Sequence, residues 1–204
     1  MPEGFDFFAG SVRVVPDLKA GAEAEWAARF LREVRDRRAA LPREPAPAEA
    51  EALARAVFAE LKARARAEGA DLPDALLYDG LIEAQFPGIA PLVRLAAEPG
   101  VEDIALNLRH IYVYRTGVGW EPRGRADPAL SEGIRTVLAR HVPRPPGPDL
   151  PIADARLRLS LPLPDGRVET ARLRVLFVAP PASPDGDLVV VRVARVGGRP
   201  DWRR

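Results

Sequence analysis

The sequence predicts an α+β fold, with helices in its first half and a mostly antiparallel sheet in its second half. Apolar residues recur at helical spacing up to about residue 97, and after Val101 they recur at every second position. Pro-Asp-Gly occurs twice, at 164–166 and 184–186, each time between alternating stretches. Proline presets a turn conformation and glycine accepts a positive φ, so each copy predicts a reversal between two strands. Helices segregated from antiparallel strands define the α+β class.

Four helical segments are predicted in the first hundred residues. Their apolar stripes, such as Trp26, Phe30 and Val34, are typical of helices that pack around a common core. Asp74 is a candidate N-cap of the third helix, and Gly69 is placed to end the second. The predicted helices cover residues 22–41, 47–68, 74–86 and 90–97.

Strands dominate the predictions after residue 100. Between the two Pro-Asp-Gly turns, Leu173 and Val175 point to one side of a strand while Arg172 and Arg174 point to the other. A single helix interrupts the strands, and a stiff proline-rich loop follows it. The predicted strands cover 101–107, 110–115, 152–161, 168–178 and 188–196, and the predicted helix covers 128–140.

The composition of the 204 residues excludes several classes of protein. Cysteine is absent, which excludes disulfides and cysteine-ligated metals. No apolar run approaches the length of a membrane-spanning helix, and the N-terminus lacks the pattern of a secretory signal, so we expect a cytosolic protein. Lys19 and Lys62 are the only lysines among 30 basic residues, so arginine is enriched throughout and a single arginine is a weak functional signal.

Motifs for independent catalysis are missing from the sequence. Neither lysine stands in the Gly-x-x-x-x-Gly-Lys-Ser/Thr context that binds nucleotide phosphates and Mg²⁺. His110 and His141 lack the partners of a metal site, and no serine stands in a nucleophile elbow. We therefore expect no catalytic residue, no metal site and no resident cofactor in this chain.

Arginines at alternate positions are the positive functional signal. Arg156 and Arg158 share one side of a predicted strand, as do Arg172 and Arg174 on the next. Arg192 lies among valines on a third strand, where a charge needs a partner. Because the guanidinium group can donate two parallel hydrogen bonds to a phosphate, the three strands could together hold an anion. A solvated outer face in an arginine-rich protein is the alternative.

A series of short motifs runs through about residues 76–196 in a fixed order. The motifs are Leu81-Ile82, Gly88-Ile89-Ala90-Pro91-Leu92, Leu95-Ala96-Ala97-Glu98-Pro99-Gly100-Val101-Glu102-Asp103-Ile104, Ile111-Tyr112-Val113-Tyr114, Ala153-Asp154-Ala155-Arg156-Leu157, Leu163-Pro164-Asp165-Gly166-Arg167, Arg172, Phe177-Val178-Ala179-Pro180-Pro181 and Val191-Arg192-Val193. In their order and spacing they resemble the N-terminal region of the type II and type IV secretion ATPases, including the Tad-type pilus and conjugative branches.

The resemblance implies a helical subdomain over 1–98, a PAS-like domain over 99–196 and the start of a linker over 197–204. In the family this region forms one tier of a hexameric ring. It closes over ATP and Mg²⁺ held by a RecA-like motor domain and contributes arginines to the phosphates. By position these arginines would be Arg172 or Arg174, Arg192 and, as a further candidate, Arg156.

The resemblance also sets the expected partners and location. The partners would be the motor domain, neighbouring subunits and the platform proteins of the inner membrane, with the protein peripheral on the cytoplasmic side. The 204 residues end where the linker to a motor would begin, so we expect either part of a motor protein or a relative without a motor.

Two other functions compete with a motor-associated role. The same sheet could serve a stand-alone protein–protein adaptor of a secretion system that binds no nucleotide. A single-stranded nucleic-acid binder is not expected, because the sequence shows no exposed aromatic residues interleaved with the arginines.

Overall fold

The structure is a computed structural model that describes residues 22–107, 110–144, 146–163 and 167–195. It confirms the α+β class, with four of the described helices before a six-stranded antiparallel sheet and α5 between the third and fourth strands. The Pro-Asp-Gly copy at 164–166, the N-terminal residues 1–21 and the predicted linker at 197–204 lie outside the described residues. The elements are α1 (Ala22–Ala39), α2 (Pro47–Ala67), α3 (Ala75–Gln85), α4 (Ala90–Ala97), β1 (Val101–Leu106), β2 (His110–Arg115), β3 (Gly119–Arg125), α5 (Pro128–Leu138), β4 (Ile152–Pro162), β5 (Val168–Val178) and β6 (Leu188–Arg195).

Helices α1, α2 and α3 pack around a hydrophobic core of their own. Phe30 of α1 lies at its centre, fully buried, with its ring edge-on to that of Phe58 at 5.3 Å. A Cβ atom on Gly80 of α3 would lie 2.2 Å from the Phe30 ring, so the glycine permits the helices to approach closely. Gly69, with φ of +78°, follows the end of α2 as predicted.

Asp74 lies at the predicted N-cap position, directly before α3, but its side chain does not cap the helix. An N-cap residue has a non-helical backbone, but Asp74 has φ −59° and ψ −26°, which is helical, and its side chain accepts no hydrogen bond from the helix. Its carboxylate instead pairs with the ammonium group of Lys62 on α2. That ion pair lowers the pKa of Asp74 and links the start of α3 to α2.

The sheet has the strand order β3-β2-β1-β6-β5-β4, and every neighbouring pair is antiparallel. The last strand, β6, lies between β1 and β5 and so joins two groups of three strands into one sheet. One face of the sheet packs against α4 and α5 around a second core, whose deepest side chains include Leu95, Ile104 and Phe177. The apolar alternation predicted from the sequence accounts for this buried face.

Helix α3 contributes to both cores, since Leu76 and Ala84 face the helical bundle while Ile82 packs with the sheet. Close backbone contact also joins the α3–α4 link to α5. A Cβ atom on Gly133 would lie 2.1 Å from the carbonyl oxygen of Gly88. No helix among the described residues is long and apolar enough to cross a membrane.

A buried ionic cluster lies at the junction of α3 and α4. Asp79 and Glu83 of α3 are the buried charged residues of the described chain. The guanidinium group of Arg94 on α4 approaches Asp79 at 2.7 Å and Glu83 at 3.9 Å. Burial is the largest cause of a raised pKa at Asp79, with Arg94 opposing the rise and Glu83 adding to it.

Candidate anion-binding face of the sheet

None of the described residues covers the face of the sheet that is turned away from the helices. We call this face the open face. Along the middle of β4 and β5 the burial alternates. On β4, for example, Ala155 and Leu157 are buried, whereas Arg156 and Arg158 are exposed. The same alternation on β6 buries Val191 and exposes its neighbour. Side chains on this face come from all six strands, because the antiparallel register aligns every second residue.

The structure brings together all the arginines predicted as phosphate contacts. Arg156, Arg174 and Arg192 lie directly opposite one another on β4, β5 and β6. Arg158 and Arg172 form a second opposed pair, two residues further along β4 and β5. We call these five residues the arginine rows. Neighbouring strands are roughly 4.8 Å apart, so the rows concentrate positive charge on three adjacent strands.

Two members of the arginine rows are held by carboxylates. Arg174 donates to both oxygens of Asp154 on β4, with an Nη2–Oδ2 distance of 2.6 Å. Arg192 donates from Nε to Asp103 on β1 at 2.9 Å. These hydrogen bonds raise the pKa values of both arginines and lower that of Asp154, while nearby Arg174 slightly opposes the rise at Arg192. Asp103 is thus an intramolecular partner for Arg192, although the Arg192 side chain remains 73% exposed.

The other three arginines of the rows have no such partner. Arg156, Arg158 and Arg172 are exposed and make no ion pair or hydrogen bond with the described residues. Like charges directly opposite each other on neighbouring strands destabilise a sheet. Arg158 nevertheless faces Arg172, and Arg156 faces Arg174. Such an arrangement favours binding of an anion that bridges the strands.

The other half of the open face carries aromatic side chains. Tyr112 and Tyr114 on β2 lie beside Pro122 and Trp120 on β3, and the rings of Tyr114 and Trp120 are 5.6 Å apart. Trp120 is 54% exposed. These aromatic side chains are not interleaved with the arginines, as the sequence indicated, but they lie on the same open face, separated from the arginine rows by β1.

The sequence predicts that these aromatic side chains share one side of a strand, but it does not predict that they share a face with the arginine rows. Alternation along 110–115 places His110, Tyr112 and Tyr114 on one side of a strand. Only the strand order shows that this side of β2 lies on the same face of the sheet as the arginine rows. Because β6 pairs with β1, Arg192 lies opposite Asp103, and Asp103 lies opposite Tyr114.

Other candidate chemistry is sparse within the described ranges. They contain no group of three or more histidine, aspartate or glutamate side chains that could hold a metal ion. His110 lies on the open face, 6.2 Å from the ring of Tyr112, and His141 lies just after α5. The exposed guanidinium groups of the open face can donate hydrogen bonds to an anion and stabilise negative charge.

Comparison with known proteins gave no match, either to a protein-family model or to a curated protein.

Proposed function

We propose that this chain is the non-catalytic N-terminal region of a hexameric type II or type IV secretion or pilus ATPase. The observation that carries the proposal is the assembly of Arg156, Arg172, Arg174 and Arg192 on one open face. These are the positions that the ordered motifs equate with phosphate contacts. The ordered motifs and the arginine rows support the proposal together.

The arginine rows suit a role in nucleotide-coupled closure. A guanidinium group brought in by domain closure stabilises the charge that spreads over a transferring phosphoryl group. Arg192 and Arg174 are oriented by Asp103 and Asp154, whereas Arg172 is exposed and unpaired among the described residues. In this proposal the motor domain supplies ATP, Mg²⁺ and the hydrolytic residues. The present chain contributes ring contacts and moves with the nucleotide state.

The helical bundle would face the platform proteins, which places the assembly peripherally at the cytoplasmic side of the inner membrane. The bundle has a core separate from that of the sheet, so it could hold its shape while the sheet domain rocks against the motor.

The test begins with the coding frame that contains these 204 codons. We expect a motor domain with Gly-x-x-x-x-Gly-Lys-Thr after codon 204, and ATP hydrolysis by the whole protein. Arg172→Gln and Arg192→Gln should each reduce kcat by at least about tenfold, since an arginine supplied by domain closure contributes ~10³ or more. Arg66→Gln on the outer side of α2 is the matched control.

A frame without a motor would contradict the proposal, as would hydrolysis that is equally fast in the sheet variants and the control. In that case the adaptor function would take its place. Ile152, Leu176 and Val168 are exposed apolar residues on the open face, and they favour a protein partner there. Binding of a secretion-system protein that Leu176→Asp abolishes and Arg172→Gln preserves would identify an adaptor.

A further inference from the structure

The two halves of the open face have complementary chemistry for one class of ligand. Arginines occupy β4, β5 and β6, while aromatic rings occupy β2 and β3. A row of side chains in register crosses the sheet from one half to the other. That row consists of Trp120, Tyr114, Asp103, Arg192, Arg174 and Arg156.

We propose that the open face binds single-stranded nucleic acid, with bases stacked on Tyr112, Tyr114 and Trp120 and with the backbone phosphates on the arginine rows. This binding goes beyond the proposed role in a motor ATPase, and it depends on the aromatic half of the face. The nucleotide-coupled role makes no use of that half.

The aromatic half offers ring faces to a ligand. Trp120 is 54% exposed and lies 5.6 Å from the Tyr114 ring, tilted at 58°, so the two rings do not stack on each other. Tyr112 lies one pair further along β2, opposite Pro122. Bases of every sequence have a π-face, and stacking on such rings therefore binds a single strand without reading its sequence.

The charge on the face favours a polyanion. Arg125, opposite His110, joins the five arginines of the rows, so six arginines share the face with Asp103, Asp154 and Glu102. The two aspartates are occupied by ion pairs with Arg192 and Arg174. A net excess of three positive charges remains. Arg158 and Arg172, directly opposed and unpaired among the described residues, are the strongest candidates for phosphate contacts.

The dimensions of the face fit a single strand. Six strands at roughly 4.8 Å span about 24 Å from β3 to β4. Arg172 on β5 stands three strands from Tyr114 on β2, or roughly 14 Å, so a base on the ring and a phosphate on this arginine can belong to one short segment. The base faces of a duplex are buried in its own stack, so a duplex could contact the arginines but could not stack on the aromatic rings.

The experiment uses the 204-residue chain and a labelled oligothymidylate of about 12 nucleotides, within the site sizes of 4–16 nucleotides common for single-strand binders. We expect a rise in fluorescence anisotropy at low salt, quenching of tryptophan emission, and weaker binding of a duplex of equal length. The affinity should fall with salt at a log–log slope of about −2 for three phosphate contacts. An oligouridylate shows whether RNA is bound as well as DNA.

Three variants assign the two halves of the face. Trp120→Ala and Tyr114→Ala should each weaken binding about tenfold, the loss expected for one stacked base, with little change in the salt slope. Arg158→Gln combined with Arg172→Gln should weaken binding and make the slope less steep by about 1–2. Arg66→Gln on α2 should leave both quantities unchanged. Circular dichroism identifies any variant that fails to fold, and Trp120→Phe, which keeps a ring, should restore binding.

Two results would overturn this proposal while leaving the motor-domain proposal intact, namely equal affinity for the duplex, or loss of affinity in the arginine variant alone. No binding at low salt would overturn this proposal and would also contradict the phosphate binding on which both proposals depend. A concentration-dependent dimer that Trp120→Ala disperses would assign the face to a second copy of the chain instead.

Discussion

At the residue scale, Gly133 shows how tightly α5 is fitted against the α3–α4 link. Its missing side chain leaves room for the Gly88 carbonyl, which would lie 2.1 Å from an added Cβ. Alanine favours a helix over glycine by up to about 1 kcal/mol, yet here the backbone would have to move. We therefore expect Gly133→Ala to lower the free energy of unfolding by about 1–3 kcal/mol, measured in urea.

Gly147→Ala is the matched control, because an added Cβ there meets no atom within 4 Å. It should unfold at nearly the same urea concentration as the unsubstituted protein. A Gly133→Ala protein as stable as this control would show that the contact with Gly88 does not constrain the backbone.

Tyr78 gives a residue-scale prediction that depends on pH. Its hydroxyl donates to the carbonyl of Pro162 at 3.0 Å, and burial, the largest cause, raises its pKa to about 12. The unfolded chain would ionise this phenol near pH 10, before the folded protein does. Stability should therefore fall as the pH rises from about 10 to 12, and Tyr78→Phe should flatten this part of the curve. An unchanged curve would contradict the assigned burial.

At the scale of elements, the buried cluster of Asp79, Glu83 and Arg94 joins α3 to α4. Arg94→Met would leave the buried carboxylate of Asp79 without its counterion, whereas Glu83 would keep its hydrogen bond from Arg35 at 3.1 Å. Removing one partner of such a buried ion pair costs about 3–5 kcal/mol. The pKa of Asp79 should then rise further, so that stability declines more steeply as the pH rises from acid to neutral. Thermal unfolding across pH measures both effects.

Arg55→Met is the comparison for this cluster, since Arg55 forms an exposed pair with Glu51 one turn away on α2. Exposed pairs contribute little, so this variant should melt close to the unsubstituted protein. If the melting temperature of Arg94→Met is also close to that of the unsubstituted protein, the cluster does not hold the two helices together.

The opposed arginines of β4 and β5 are also a property of paired elements. Arg158 faces Arg172, and the repulsion weakens the free sheet. We expect Arg158→Gln to raise the melting temperature at low ionic strength, and the gain to vanish at high salt because exposed charges are screened. A melting temperature that falls or stays constant at low salt would show that the pair is not repulsive.

Most element boundaries could be predicted from local sequence, and the sheet order could not. The strand over 168–178 and the helix over 90–97 follow from alternation, helical spacing and flanking Pro-Gly pairs, which are local properties. The pairing of β6 with β1 joins residues about 90 positions apart, and nothing local determines it. For this reason the five arginines of the arginine rows could be identified from the sequence, whereas the partner of Arg192 and the aromatic half of the face could not.

At the scale of the whole molecule, a helical bundle and a sheet domain meet through α3, while one face of the sheet stays open within the described residues. The arginine rows lie where they can reach another molecule, and they are only partly neutralised by Asp103 and Asp154. Both proposed roles depend on the same physical claim, namely that this face binds phosphate groups.

The most direct test of that claim is nuclear magnetic resonance of the arginine Nε–H groups during titration with inorganic triphosphate. Signals of Arg158 and Arg172 should shift first and saturate in the millimolar range or below, while those of Arg55 and Arg66 on α2 should not saturate. Arg158→Gln with Arg172→Gln should abolish the saturable shifts. Equal and unsaturated shifts of all arginines would contradict the assignment of the open face as an anion-binding site.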